Sequence, residues 1–430
     1  MEPRQPIAID KAIELVMQHG KEQGRELVSL QECDDRYIAE DIYANHPIPP
    51  FPKSPYDGFA FRSEDTASAN RDNPVRFTVV EHVPAGATAS RPIGKGEAVR
   101  IMTGAAIPEG ADCVAMFEVC HTYNEGDLEW VELKRPIRSM ENVMDKGSET
   151  EEGALVIRKG TYMNPGVKAV LATFGFTKVP VTKKPKIGLI TTGTELLDVE
   201  EDMVYGKIRN SNGPMIAAQC KRAGADFIHF GKLMDELEPS YERIQQALKD
   251  VDILITTGGV SVGDFDLMPA IYEKLEAKVL FNKVAMRPGS VTTVAVYENK
   301  MLFGLSGNPS ACYVGFELFA RPIIRQALGT PAVYPKKIEA YLGEDFEKPN
   351  PFTRFVRGKM RMKNGFVYVE PVGMDKSAVV TSLSKADVFI VLRGGTRGYK
   401  KGDMVEALWV DTQEGQRNTW NHHLSSEEGG

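Results

Sequence analysis

The stretch ILITTGGVSVG, residues 253–263, decides the fold class because an apolar run ends directly in a glycine-rich turn. Two other apolar runs of the same segment end in small, glycine-bearing turns, TTGTE at 191–195 and SGNPS at 306–310. In an open parallel sheet such turns meet at the carboxyl ends of the strands, where backbone N–H groups and helix N-termini hold anionic oxygens. One such turn alone is more often a plain tight connection, but three together predict a phosphate or oxyanion ligand.

Strand and helix patterns alternate around this stretch, from Lys186 to Gly329. The alternation predicts a doubly wound α/β domain, with a parallel sheet covered by helices on both faces. One helix begins at Asn212-Gly213-Pro214 and stops at Gly224, and another begins at Asn308-Pro309, because Asn caps a helix and Pro fits its first turn. The predicted strands are 187–191, 253–257, 291–297 and 301–305.

The chain on either side of this domain has a different pattern, which predicts a multidomain α/β plus β protein. Apolar residues at helical spacing over 9–17 and 165–174 predict two helices that pack together as a discontinuous linker domain. Short β-branched runs between 45 and 146, and strand patterns after Pro331, predict a β-rich domain and a small C-terminal β-barrel. The predicted domains are 1–44 with 147–183 (helical linker), 45–146 (β-rich), 184–330 (central α/β), 331–411 (β-barrel) and 412–430 (a polar, disordered tail).

Composition excludes several function classes. The 430 residues carry 52 Lys and Arg against 59 Asp and Glu, a formal charge of -7, with no long basic block to follow a nucleic-acid backbone. The 5 cysteines are widely spaced without a CxxC pair, and the 7 histidines form no HExxH, so a disulfide framework or thiolate zinc site is not expected. Neither a secretory signal nor an apolar run of about 18 residues occurs, so we expect a cytoplasmic protein with no membrane partner.

Four acidic residues are expected at the same edge of the predicted sheet, namely Glu195, Asp235, Asp264 and Asp266. Carboxylates beside an anionic ligand repel it unless a hard cation such as Mg²⁺ bridges them to phosphate oxygens. The combination predicts metal-assisted chemistry at a phosphate. Taken singly, any of these acids can instead cap a helix or lie in a solvated loop, and for Asp264 that interpretation is at least as good.

Two cations and a hydroxyl occur together in KVAMRPGS, residues 283–290. Lys283 and Arg287 lie four residues apart before a Pro-Gly turn. With a serine hydroxyl they can coordinate a tetrahedral oxyanion, Arg by a fork of N–H groups and Lys as a point charge. Taken alone, this octapeptide is better interpreted as an exposed charge pair.

Five motifs together resemble one known family, the molybdopterin molybdenumtransferases that include MoeA and the gephyrin E domain. They occur in the family's order between residue 1 and about residue 411. Any one of them is moderately specific, whereas the ordered set is highly specific. The motifs are SPYDGFAFR at 54–62, RIMTGA at 100–105 followed by PEGAD at 108–112, TGTEL at 192–196, GGVSVG at 258–263 and SGNP at 306–309.

The resemblance implies a four-domain, elongated homodimer whose third domain has the molybdenum-cofactor-biosynthesis α/β fold. It implies a reaction in which adenylylated molybdopterin is hydrolysed with Mg²⁺ as the cofactor while molybdate joins the dithiolene and AMP is released. The product could be handed to molybdopterin adenylyltransferase or to molybdoenzymes, which are the further partners that the resemblance suggests.

The resemblance also assigns site residues by matching position. Asp57 and Thr103 belong to the second domain, which in the family closes on the third domain of the other subunit. The catalytic set is Asp57, Thr103, Glu195, Asp235 and Asp266, of which Glu195, Asp235 and Asp266 are the metal ligands. The substrate-binding set is Thr192, Gly193, Gly258, Gly259, Ser261, Gly263, Gly307, Asn308, Lys283, Arg287, Ser377 and Arg357.

The sequence departs from the family pattern at a few positions. Glu149 follows Gly147-Ser148 where the family often has Gly-Glu-Asp, so it either reaches with a longer side chain or does not take part. Arg287 stands where Lys is usual, and Ser306 interrupts the usual Leu-Pro-Gly-Asn-Pro, but both changes keep donors that suit an oxyanion. We prefer Arg357 to Arg354 as the site arginine, because FVRG at 355–358 fits the family spacing better.

Two alternative functions remain at the level of sequence. A non-catalytic scaffold or binding protein of the gephyrin type would keep the fold without turnover, but the sequence contains a nearly complete acid set and no long interaction linker. An enzyme for the adenylylating step on molybdopterin would share only the α/β domain. The first, second and fourth predicted domains have no counterpart there and disfavour that alternative.

Overall fold

A computed structural model of the chain describes residues 5–233, 236–259, 267–410 and 415–416. They divide into two compact units. The first unit comprises the described residues of Met1–Glu40, Lys159–Lys168 and Thr177–Gly430, and the second comprises Asp41–Arg158 and Ala169–Phe176. Among the described helices, none combines the length and the apolar composition that a bilayer span requires.

A six-stranded sheet forms the centre of the first unit. Its strands lie in the order Asp226–Lys232, Lys186–Thr191, Ile253–Thr257, Lys300–Leu305, Thr293–Tyr297 and Lys278–Phe281. The first four are parallel to one another, whereas Thr293–Tyr297 is antiparallel to both of its neighbours. The predicted parallel sheet is therefore a mixed sheet.

The direction of Thr293–Tyr297 follows from its connection to the next strand. Only Glu298 and Asn299 separate it from Lys300–Leu305, and two residues suffice for a hairpin, whereas a parallel crossover needs a dozen or more. All four predicted strands are present, although this one begins at Thr293 rather than at residue 291. The edge strands Asp226–Lys232 and Lys278–Phe281 were not predicted.

Helices cover both faces of the sheet, as the doubly wound class requires. Successive strand residues point to opposite faces, so Leu189, Ile255 and Phe303 lie in one buried cluster and Leu254 and Leu302 in another. The helix Asn212–Ala223 ends at Gly224 in the left-handed conformation (φ 98°), as predicted. The prediction that Asn212 caps this helix is wrong, because the Gly213 N–H donates to Oδ1 of Asn210 over 3.0 Å and the Asn212 side chain donates elsewhere. The other helices of this part are Leu237–Asp250, Met268–Lys274, Pro309–Gly315, the π-helical Phe316–Ala320 and Arg321–Ala327.

The N-terminal helix Ile9–Met17 buries Ile9, Ile13 and Val16 in the larger of these clusters, which it shares with the α/β helices. The strand Arg25–Ser29 pairs antiparallel with Lys178–Thr182, which joins the two predicted parts of the linker. The helix Pro165–Thr173 runs from the first unit into the second. The domain boundaries themselves stay a prediction.

The C-terminal strands close into a five-stranded barrel, which confirms the predicted fold of this region. Around the barrel the order is Thr353–Lys363, Phe366–Pro371, Tyr334–Leu342, Met404–Trp409 and Val388–Leu392, and the last pairs again with the first. Met286–Arg287 adds to Thr353–Lys363 as a short parallel strand. Of the predicted tail at 412–430, the structure describes only Gly415–Gln416, which pair with Tyr334–Pro335.

The second unit is β-rich, as predicted. Phe59, Phe61 and Phe77 are fully or almost fully buried at the centre of its core. A short pair, Ile42–Tyr43 with Leu155–Ile157, lies in the same unit. The strands of its six-stranded sheet are, in order, Cys113–Met116, Gly58–Phe61, Glu97–Ile101, Val75–Val83, Leu128–Leu133 and Cys120–Glu125, and the short helix Ser63–Thr66 follows the second of these.

Candidate functional site

The three glycine-bearing turns meet at one edge of the central sheet, as the sequence predicts. Thr191 pairs with Thr257, and Thr257 with Leu305, so the three strands end at the same level. Beyond their ends lies a cleft of about 780 Å³. Among its lining residues are the predicted binding residues Thr192, Gly193, Gly258, Gly259, Gly307 and Asn308, together with Glu195 and Asn212.

Backbone hydrogen bonds tie the turns to one another. The N–H and the hydroxyl of Thr192 both donate to the Thr257 carbonyl, over 2.9 and 3.1 Å, and the Gly258 N–H donates to the Leu305 carbonyl over 3.0 Å. The Asn212 side chain donates to the Gly307 carbonyl over 2.8 Å. The floor of the cleft is thus preorganised by contacts between turns rather than by any one turn.

Gly258 is required by two separate features of the backbone. Its φ of +80° lies in the left-handed region, where side chains with a Cβ are strained. A Cβ at this position would also lie 2.7 Å from both the carbonyl oxygen and the hydroxyl of Thr192. The glycine that the sequence motif contains is therefore a structural need of the cleft.

Glu195 lies on the rim of the cleft with an exposed side chain. Its carbonyl accepts a hydrogen bond from the Ile208 N–H over 2.9 Å, which pairs the short strands Leu196–Leu197 and Ile208–Arg209. Four predicted site residues lie outside the described part of the chain, namely Asp235, Ser261, Gly263 and Asp266, and Asp264 lies there too.

The oxygen donors at the cleft suit Mg²⁺ better than a metal held by protein side chains alone. In the described part of the chain, no three His, Cys, Asp or Glu side chains gather as an all-protein metal cage. Mg²⁺ is usually bound by one or two carboxylates together with substrate phosphates and waters. An exposed carboxylate at the rim of the cleft, as Glu195 provides, fits that mode of binding.

Asp57 and Thr103 come together in the second unit. Asp57 precedes the strand Gly58–Phe61, and Thr103 follows its antiparallel neighbour Glu97–Ile101. The N–H and the hydroxyl of Thr103 donate to Oδ1 of Asp57 over 2.6 and 2.8 Å. These hydrogen bonds, first the one from the backbone, hold the pKa of Asp57 below its usual value, so the carboxylate is ionised at neutral pH.

Gly58 is the reason why the strand after Asp57 can approach its neighbour. A Cβ on Gly58 would lie 2.1 Å from the Ala115 carbonyl oxygen on the adjacent strand.

Glu149, which stands at a position where the sequence departs from the family pattern, is exposed, and its N–H donates to the Ile48 carbonyl over 3.0 Å.

The segment with Lys283 and Arg287 lies between the α/β domain and the barrel. The Val284 N–H donates to the Ser290 carbonyl over 2.8 Å and closes the turn. Arg287 is exposed and Lys283 is half-buried. Because Arg287 is the register partner of Arg354, this segment is fixed to a barrel strand.

Ser377 lies in residues 374–379, here called the Ser377 loop. The Ser310 N–H, in the first turn of the helix Pro309–Gly315, donates to the Ser377 carbonyl over 3.0 Å. The Ser310 hydroxyl donates to the Val379 carbonyl over 2.6 Å. The Ser377 loop is thereby held against the helix that follows the SGNP turn. Sequence reasoning did not single out Ser310, which has no local signal for this contact.

The two candidate arginines of the barrel differ in their partners. Arg354 is bound to a carboxylate, since its Nη1 lies 2.6 Å from Oδ2 of Asp375. Arg357 is only 2% exposed, and its Nη2 donates to the carbonyls of Met374 and Lys376 over 2.6 and 3.4 Å. Among the described residues no carboxylate pairs with Arg357 and its Nε has no partner, and burial lowers the pKa of this guanidinium. Its charge is the less neutralised of the two.

Ser306 closes the third turn by a hydrogen bond from its own turn. Its hydroxyl accepts a hydrogen bond from the Asn308 N–H over 3.2 Å. Asn308 is the predicted N-cap residue of the helix Pro309–Gly315, with Pro in its first turn. The departure from the family pattern at Ser306 therefore leaves the turn closed.

Comparisons with known proteins cover most of the chain. Residues 7–175 match the model "MoeA N-terminal region (domain I and II)", residues 188–326 match "Probable molybdopterin binding domain" and residues 339–409 match "MoeA C-terminal region (domain IV)". The chain is 52% identical over 420 residues to a molybdopterin molybdenumtransferase of Bacillus subtilis, covering 98% of both chains. It is 47% identical over 412 residues to one of Staphylococcus epidermidis, covering 96% of this chain and 97% of the relative.

Solved structures give the same result for the architecture. Two structures of a molybdopterin biosynthesis MoeA protein from Pyrococcus horikoshii match with TM-scores of 0.83 and 0.80, each at 30% sequence identity. They cover 94% of this chain and 99% and 100% of the archaeal chains. The similarity thus extends well beyond the α/β domain.

Proposed function

The chain belongs to the MoeA family of molybdopterin molybdenumtransferases, and from this premise we propose that it inserts molybdenum from molybdate into adenylylated molybdopterin and releases AMP. The observation that carries the proposal is the preorganised cleft at the carboxyl edge of the sheet, where three turns that suit phosphate oxygens meet. Relatives over 96–98% of the chain are named transferases, which disfavours both the scaffold and the adenylylating enzyme.

The phosphates of adenylylated molybdopterin are proposed to bind at the floor of the cleft. Backbone N–H groups at glycine turns hold anionic oxygens without a side chain in the way. The described residues that would line this subsite are Thr192, Gly193, Gly258, Gly259, Gly307 and Asn308, and the proposal extends it to Ser261 and Gly263. The N–H groups of Thr192, Gly258 and Asn308 already donate to Thr257, Leu305 and Ser306. The proposed described donors to phosphate oxygens are therefore the N–H groups of Gly193, Gly259 and Gly307.

Glu195 is the described carboxylate that we propose for Mg²⁺, with Asp235 and Asp266 as further ligands. When bound, Mg²⁺ would neutralise charge on the phosphate oxygens and polarise the phosphoryl group. The side chain of Glu195 lies at the rim of the cleft, and a hydrogen bond from the Ile208 N–H to the Glu195 carbonyl holds its backbone there.

Asp57 is proposed to orient a water molecule during the reaction. Both Thr103 hydrogen bonds end on Oδ1, and no described residue donates to Oδ2. The low pKa keeps the carboxylate ionised at neutral pH, so Oδ2 is available to accept a hydrogen bond from a water molecule. Thr103 positions the carboxylate.

Molybdate is proposed to bind at Lys283, Arg287 and Ser377, with Arg357 as a buried cation that donates to the Ser377 loop beside them. A divalent tetrahedral oxyanion needs several convergent donors, and charge-assisted hydrogen bonds from guanidinium groups are among the strongest. Two structural facts support this grouping of residues. The segment with Arg287 is paired to a barrel strand that also bears Arg357, and Arg357 donates to the loop that bears Ser377.

Arg287→Ala is expected to weaken molybdate binding without weakening the binding of adenylylated molybdopterin. The lost charge-assisted hydrogen bonding is worth about 1.5 to 3 kcal/mol, which is about 10- to 150-fold in affinity. Arg287→Lys should be milder because it keeps the charge and loses only the fork. The measurement is cofactor formation against molybdate concentration, with nucleotide binding determined separately.

Arg361→Ala is the matched control for this experiment. Arg361 is an exposed arginine of the strand Thr353–Lys363, with which Met286–Arg287 pairs, and it forms an ion pair with Glu370 over 3.2 Å. Its loss should leave the molybdate dependence unchanged. If Arg287→Ala needs no more molybdate than the wild type, or loses nucleotide binding equally, Arg287 is not a molybdate ligand.

A homodimer is the expected assembly, because the family resemblance assigns Asp57 and Thr103 to a site completed by a second chain. Analytical ultracentrifugation across the concentration range of the activity assay should show a dimer. A fully active monomer would contradict this arrangement of the site.

The cytoplasm is the proposed location, with molybdopterin adenylyltransferase or molybdoenzymes as partners for handover. All 5 cysteines are free thiols, and 4 of them are buried, which suits a reducing compartment.

A further inference from the structure

The Ser377 loop is anchored to the barrel by a nearly buried ion pair. Arg354 and Asp375 have side chains only 10% and 13% exposed, and Nη1 lies 2.6 Å from Oδ2. The Nε of Arg354 donates to Oδ1 of Asn350 over 2.9 Å, which fixes the plane of the guanidinium. Lys348 adds a more exposed cation, with Nζ 3.2 Å from the same oxygen of Asp375.

Arg354 connects the two halves of the proposed molybdate site. Its backbone is the register partner of Arg287, and its side chain holds Asp375, two residues before Ser377. The opposite end of the loop is held by Ser310, through the carbonyls of Ser377 and Val379. A shift of the loop along the barrel would therefore change the distance between Ser377 and Arg287.

A pair this buried contributes little net stability compared with apolar side chains of the same volume, because both charges lose their hydration. Its geometric effect is larger, since two directional contacts at Arg354 leave Asp375 one orientation. Oxyanion binding by several donors depends on such fixed spacing.

We infer that Asp375 is a positioning residue for the molybdate site. Through its ion pair with Arg354, Asp375 holds Ser377 at the distance from Arg287 that the oxyanion requires. The inference rests on the proposed function. It adds Asp375 and Arg354 to that function as residues that do not touch the substrate.

Asp375→Asn should raise the half-saturating molybdate concentration about tenfold, since a displacement of one donor by less than 1 Å weakens a preorganised site by this order. The maximal rate and the affinity for adenylylated molybdopterin should stay within about twofold of the wild type. Titration calorimetry with molybdate alone should show the same loss of affinity. Amide hydrogen exchange should become faster in residues 374–379, where the Lys376 and Val379 N–H groups donate within the loop.

Asp345→Asn is the matched control. Asp345 is also a carboxylate on the barrel, but its partners are the exposed Lys400 side chain and the Lys401 backbone. It should leave the molybdate dependence unchanged. Asp375→Glu, which keeps the charge on a longer side chain, should raise the half-saturating concentration less than Asn does and provides the test if Asn does not fold.

An unchanged half-saturating concentration in Asp375→Asn, or in Asp375→Glu if only that variant folds, would overturn the inference. A lower melting temperature with a lower maximal rate at unchanged half-saturation would overturn it too, because that pattern indicates a purely structural role. If the wild type forms no cofactor from molybdate, the proposed function itself fails, which is a different result.

Discussion

Glu317→Ala will lower the free energy of unfolding by about 3 to 5 kcal/mol, because it leaves the buried Arg321 and the half-buried Arg222 without the carboxylate that they share. Glu317 has no exposed surface and lies in the π-helical segment Phe316–Ala320. Its carboxylate contacts Arg222, lies 3.0 Å from Nη1 of Arg321 and accepts a hydrogen bond from Gln219 over 2.7 Å.

The pH dependence of this contribution has a definite sign. Burial raises the pKa of Glu317, but the adjacent Arg222 and Arg321 outweigh burial and hold the pKa below its ordinary value. The ionised cluster therefore stabilises the fold above the pKa that Glu317 has in the unfolded chain. That stabilisation is lost as the pH falls through the lower pKa of the folded protein.

Urea denaturation at neutral pH measures the effect. Glu14→Ala serves as the control, since Glu14 is exposed and pairs with Lys11 besides accepting a 3.3 Å hydrogen bond from Gln18. An exposed ion pair is worth about 0 to 1 kcal/mol. Glu317→Gln should fall between the control and Ala, because it keeps the shape of the side chain and loses the charge. A loss below about 1 kcal/mol for Glu317→Ala would contradict the structural role of the cluster.

Gly258→Ala will weaken the binding of adenylylated molybdopterin by about 100-fold or more, since a displacement of about 1 Å at a preorganised site has this cost. The added Cβ would lie 2.7 Å from the Thr192 carbonyl oxygen and hydroxyl. Relief of this clash must move the Thr192 turn, which donates twice to the Thr257 carbonyl. The floor of the cleft would then lose its arrangement.

Gly365→Ala separates this steric effect from backbone strain. Gly365 has the same φ of +80° as Gly258, but no atom lies within 4 Å of a Cβ at that position. Gly365→Ala should lower the free energy of unfolding by about 1 to 2 kcal/mol, because alanine is strained in the left-handed region. It should leave substrate binding intact. Titration of each variant with adenylylated molybdopterin tests the difference, and equal affinities would show that the clash at Gly258 has no consequence for the site.

Much of the α/β fold could be predicted because buried parallel strands appear as continuous apolar runs. Ile253–Thr257 and Lys186–Thr191 are of this kind, with almost every residue buried. Asp226–Lys232 and Lys278–Phe281 were missed because they are edge strands that begin with a charged residue and are mostly half-buried. The direction of Thr293–Tyr297 follows from its short connection to Lys300–Leu305, which the sequence shows, whereas its place in the sheet could not be inferred from its composition.

The sequence by itself determined the glycine turns, the end of the helix Asn212–Ala223 at Gly224, the proline in the first turn of Pro309–Gly315 and the order of the family motifs. These are local properties, since a left-handed φ or a first-turn proline restricts the residue that occupies that position. Only the tertiary structure decided that Arg354 is bound to Asp375, that Arg357 donates to the Ser377 loop and that Ser310 holds that loop from the α/β domain. The physical reason is that two guanidinium groups three residues apart on one strand are chemically identical, and their roles depend on acceptors that distant parts of the chain place beside them.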